Sequence, residues 1–131
     1  MNEIKEHKAS EADIAALLER ISETQARENA SRATADTATA VLHRLIRIAR
    51  SDTGQSMTCR QLLMSLYNGR AWPFNTTELR GLDYDLLDDA LTIIRADASM
   101  AWPDEVHVIT GEQELFERWR QEFVAEKETN R

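Results

Sequence analysis

Asp83, Asp85, Asp88 and Asp89 form the densest run of carboxylates in the chain, the strongest candidate for metal chemistry. Asp85 with Asp88 or Asp89 shares one helical face, as ligands to a divalent cation would. The stretch has neither the glycine-containing loop of a calcium site nor a neighbouring histidine, and acidic residues favour the first turn of any helix. It therefore reads as an acidic docking face, with no metal and no cofactor assigned. Nucleophilic catalysis would have to use Cys59, with His43 or His107 as base, but Cys59 falls on an apolar helical face where a buried, inert thiol is expected. No phosphate-cradling glycine motif, paired metal histidines or Gly-Xaa-Ser-Xaa-Gly turn occurs. The expectation is a protein that is not an enzyme.

Two further sets could bind a partner. Arg44, Arg47 and Arg50 lie along one helix at spacings of three, with His43 next to Arg44, a ridge suited to phosphate or to an acidic protein surface. Cations near a helix C-terminus also need no partner to explain them. Ile14, Leu17, Leu18 and Ile21 form a narrow apolar stripe near the N-terminus. Three fates are open to it: a groove on another chain, its own core, or a second copy in a homodimer.

The elements that must position these residues are helical. Residues 1–53 contain no Gly or Pro, as in a chain built from long helices. Ser10 with Asp13 starts the first helix, and residues 24–40, almost all Ala, Thr, Ser and charged, are a hinge or an exposed helical stem. Val41, Leu42, Leu45, Ile46, Ile48 and Ala49 then make a broad core face that ends near Ser51–Gly54, with Gly54 supplying the turn. Thr58 with Gln61 reads as the next start, ended by Asn68-Gly69. Trp72-Pro73-Phe74 is an extended link covering the core's edge, Asn75 to Gly81 a single turn, and Asp83 the cap of a helix running to about Ser99. Glu105–Ile109 reads as loop, and Thr110 with Gln113 as the start of the last helix, carrying Leu115, Phe116, Trp119 and Phe123. The fold class is all-α, a small bundle of four to five helices with a long N-terminal helical extension. It divides into the N-terminal helix and stem at 1–40, a helical core at 41–127 and a polar tail at 128–131.

Totals narrow the setting. The chain has 131 residues, enough for one core, and a net charge of −7 that disfavours direct nucleic-acid binding and favours a basic partner. Residues 31–60 run against this average, with Arg32, Arg44, Arg47, Arg50 and Arg60 against Asp36 and Asp52. The single cysteine fits a reducing compartment, Met1–Ser10 lacks the apolar stretch of a secretory signal, and no membrane span is expected, so the bacterial cytoplasm is the expected location.

The stretch Leu45-Ile46-Arg47-Ile48-Ala49-Arg50-Ser51-Asp52-Thr53-Gly54-Gln55-Ser56, continuing through Leu62-Leu63, Tyr67-Asn68-Gly69, Leu82-Asp83, Asp88-Asp89, Pro103-Asp104 and Gly111-Glu112, resembles an uncharacterised family of small helical bacterial domains found on plasmids, integrative elements and phages. The likeness spans about 41–120, and its most specific part is Asp52-Thr53-Gly54-Gln55-Ser56. It implies a mobile-element setting and brings no catalytic residues. In that setting the expected activity is stoichiometric binding to a host protein or nucleoprotein complex, in its sharpest form anti-CRISPR inhibition of a CRISPR-Cas effector, whose channels are basic. The alternative is a nucleic-acid-binding accessory protein of a plasmid or phage using Arg44, Arg47 and Arg50.

Overall fold

The computed structural model describes residues 10–130. The reading of Met1–Ser10 as lacking a secretory signal, apart from Ser10, and the last residue of the polar tail fall outside the described residues. Five α-helices follow one another: α1 (Glu11–Ala49), α2 (Gly54–Tyr67), α3 (Tyr84–Ala98), α4 (Val106–Thr110) and α5 (Gln113–Thr129), with a 3-10 turn at Thr76–Gly81 between α2 and α3. The fold is all-α, with no strand among the described residues. Two compact units divide between Ala33 and Thr34.

The first unit is helical throughout from Glu11. Ser10 and Asp13 close a reciprocal capping box, Asp13 N–H donating to Ser10 Oγ at 3.1 Å and Ser10 N–H to Asp13 Oδ2 at 3.2 Å. Residues 24–40 are helical, those up to Ala33 belonging to the first unit and the rest to the second, where Ala38 is buried. Every residue from 11 to 30 is exposed.

The second unit holds the core. Ala38, Val41, Leu42, Leu45, Ile46 and Ala49 of α1 are buried with Cys59, Leu62, Leu63 and Met64 of α2. Leu86, Ala90, Ile93 and Ala96 of α3 and Leu115, Phe116 and Trp119 of α5 complete it. Burial reaches Ala38 because small residues there accommodate Trp102: its indole N–H donates to Thr39 Oγ1 at 3.1 Å, and Thr39 Oγ1 in turn donates to the Ala35 carbonyl at 2.7 Å. Trp72 and Phe74 pack against the core, as expected of the link, with Trp72 edge-on to Phe123 at 5.5 Å.

Several boundaries differ from expectation. Gly54 is the first residue of α2, not a turn residue, and Thr53 is the cap, its hydroxyl accepting from Ser56 N–H at 3.0 Å. Thr58 lies inside the helix and bonds back to the Gly54 carbonyl. Of Glu105–Ile109, read as loop, residues 106–109 join Thr110 in α4, because Val106 is buried and the turn closes on Gly111, whose φ of 67° suits a residue without a side chain. Thr110 closes that turn through Val106 O at 2.7 Å, and α5 begins at Gln113 after Glu112 with no side-chain cap. The caps at Asn75 and Asp83 stand where the sequence placed them. Replacing Thr53 with alanine should lower the unfolding free energy by about 1 kcal/mol, measured by urea denaturation, because one early N–H of α2 loses its acceptor.

Candidate functional site

The first turn of α2 meets the start of α3, and residues there bond to one another. Asp83 caps α3 by accepting from Leu86 N–H at 3.0 Å, and its own N–H donates to Gln55 Oε1 at 2.7 Å. Arg44 on α1 grips Asp89 on α3 through two hydrogen bonds, Nε to Oδ2 at 2.8 Å and Nη2 to Oδ1. Asp89 is only 8% exposed, whereas about half of the Arg44 side chain reaches solvent. The hydrogen bonds to Asp89 hold the Arg44 guanidinium above its ordinary pKa. Asp85 and Asp88 are exposed beside this pair, on the wall of a shallow cleft of about 590 Å³ that also contains Thr53 and Gln55.

The expected partner-binding residues thus separate. Asp89 is buried and bound to Arg44, so it leaves the exposed acidic face to Asp85 and Asp88. No three His, Cys, Asp or Glu side chains converge to hold a metal ion among the described residues. The basic ridge is largely matched as well: Arg44 binds Asp89 and Arg50 Nη2 donates to Glu112 Oε1 at 2.8 Å, leaving Arg47 as the ridge arginine without a carboxylate partner among the described residues. Arg60, counted in the sequence as part of a basic surplus, donates to the Ala49 carbonyl from Nε at 3.1 Å and Nη2 at 2.8 Å and to Ser51 O at 3.2 Å, closing the C-terminus of α1. Its role was not visible in the sequence, since its acceptors are backbone atoms. In the other unit, Ile14, Leu17, Leu18 and Ile21 are 49%, 57%, 61% and 52% exposed.

Cys59 is 1% exposed, and burial first, with Asp89 and Asp83 adding to it, pushes its thiol up to about 11. At pH 8 roughly one thiol in a thousand is ionised. Alkylation by iodoacetamide at that pH should be negligible for the folded chain and rapid in denaturant, followed by mass spectrometry; equal rates would show that the thiol is accessible. His107 lies elsewhere, edge-on to Tyr67 at 5.0 Å, with Nδ1 buried and 3.6 Å from Glu105 Oε2.

Residues 39–122 match the family described as a family of unknown function, DUF7673. The chain belongs to the DUF7673 family. The matched span agrees with the resemblance read over about 41–120 and takes in the Arg44–Asp89 pair, the Thr53 and Asp83 caps and the Gln55 tie, so the Asp52–Ser56 stretch has a structural task in starting α2 and tying it to the cap of α3. The apolar stripe of α1 lies outside the DUF7673 span. No curated protein and no solved structure matches the chain. Among the described residues no helix is long and apolar enough to cross a membrane.

Proposed function

We propose that this chain acts by docking onto other proteins and not by catalysis, with the apolar stripe of α1 as its docking surface. The observation that carries the reading is the exposure of Ile14, Leu17, Leu18 and Ile21 on one helix face, because four large apolar side chains in a row gain most from water by being covered. Asp85 and Asp88, with Tyr84 and Leu91 exposed on the same helix, form a second, acidic surface that suits a basic partner. The partner fitting both features is a host protein or nucleoprotein complex. A mobile-element setting would make its sharpest form inhibition of a CRISPR-Cas effector.

The test uses the full chain as bait in bacterial lysate beside two variants, Leu17→Glu with Ile21→Glu, and Asp85→Lys with Asp88→Lys. A specific partner captured by the wild type and lost from the stripe variant is the expected result; equal capture by all three, or none from several hosts, would overturn it. The sharpest form is tested by effector-catalysed DNA cleavage in the presence of equimolar chain. Cleavage should fall; undiminished cleavage across effector types removes that form.

A further inference from the structure

We infer that the α1 stripe is covered by the same stripe of a second copy, the two helices running antiparallel. This rests on the docking reading above and names what covers that surface while no host partner is bound. Residues 11–30 are helical and every one of them is exposed, whereas most helices in proteins draw their stability from packing an apolar face. Ile14, Leu17 and Ile21 take the a, d and a positions of a heptad, followed by Thr24 at d, and Leu18 widens the seam at e.

Charge selects the direction. In a parallel pair each residue of the seam meets itself, so Glu28 opposes Glu28 at an a position, and Arg27 at g lies beside Arg32 of the other copy at e. Both contacts are between like charges, and no flanking pair has opposite charge. In an antiparallel pair equivalent flanks meet in reverse order. Centring it near Glu19 places Leu17 against Ile21 twice, Ile14 against Thr24 twice and Leu18 against Leu18. Asp13 then meets Arg27 on both sides, and Glu28 faces Ser10. Arg20 opposes its own copy at the dyad, the one unfavourable flank contact, on a side chain long enough to reach water. Two opposite-charge pairs against one like-charge pair favour this direction.

The test measures the mass of the full chain in solution by light scattering across a wide concentration range. A rise toward twice the chain mass is expected, together with a monomer at all concentrations for Leu17→Glu with Ile21→Glu. Arg27→Glu separates the directions: the new carboxylate faces Asp13 in the antiparallel pair and should weaken the dimer at least fivefold, but lies beside Arg32 in a parallel pair and would tighten it. Tightening therefore overturns the direction. A chain monomeric throughout overturns self-pairing, and so does a dimer indifferent to the stripe substitutions. A monomer that still captures another protein through the stripe leaves the docking reading standing, whereas a monomer with no stripe-dependent capture sinks both. Circular dichroism of each variant confirms that the second unit remains folded.

Discussion

Replacing Phe116 with alanine is expected to lower the unfolding free energy by about 3–5 kcal/mol, the largest effect of any single substitution proposed. Phe116 is 0% exposed and stands where α2, α4 and α5 meet. Its ring lies 5.3 Å from Tyr67 of α2 and 5.4 Å from Trp119 of α5, with His107 of α4 at 6.5 Å. Three bulky, ring-shaped neighbours cannot collapse into the space it leaves, so the transfer term and the cavity term add. Against a typical total of about 5–15 kcal/mol, the loss would leave the second unit close to unfolding at room temperature. Urea denaturation checks it: the midpoint should fall sharply with little change in slope. A loss under about 1 kcal/mol would mean that the core is not centred there.

The second large effect is an asymmetry within one ion pair. Arg44→Ala removes the charged partner of a carboxylate that is 8% exposed and should cost about 2–3 kcal/mol, because Asp89 is left buried without its two donors. Asp89→Ala leaves behind a guanidinium whose side chain is half exposed and can turn to water, so it should cost less than half as much. The double variant should resemble Arg44→Ala with part of the loss restored, as removing both partners spares the orphaned charge. Equal costs for the two single variants, or the reverse order, would show that Asp89 is not held in a dry site. The pair joins α1 to α3 across 45 residues of sequence, so the same measurements report how far that junction stabilises the second unit.

Much of the helical framework was legible because its signals are local. The spacing of Val41, Leu42, Leu45, Ile46 and Ala49 gave a core face that the structure buries, with Ile48 half-buried beside it. The caps at Ser10, Asn75 and Asp83 each need only a short polar side chain two or three residues before the amide it accepts from. The same local pattern misled at Thr58 and Thr110. A threonine three residues before glutamine fits a start box, yet inside a helix its hydroxyl bonds back to the carbonyl four residues earlier. Val106-His107-Val108-Ile109 has poor helix propensity, and the burial of Val106 overrides it.

The candidate sites were less legible, since what decides them is long-range pairing. Arg44, Arg50 and Arg60 looked alike as charges along a sequence, but one binds a buried carboxylate, one a half-buried glutamate and one two backbone carbonyls. The likeness centred on Asp52–Ser56 also changes in meaning, because Thr53 and Ser56 close the start of α2 and Gln55 ties it to the cap of α3. The α1 stripe behaves oppositely. It was read from spacing alone, and its side chains stand exposed.

Hydrogen exchange across residues 11–30 of the full chain, followed at rising protein concentration, tests most directly whether that stripe is a protein-covered surface. An uncovered helix of this composition should exchange within seconds, and a covered one orders of magnitude more slowly. Protection that grows with concentration and collapses in the Leu17→Glu, Ile21→Glu variant is the predicted result. Rapid exchange at every concentration, or protection that survives those two substitutions unchanged, would contradict it.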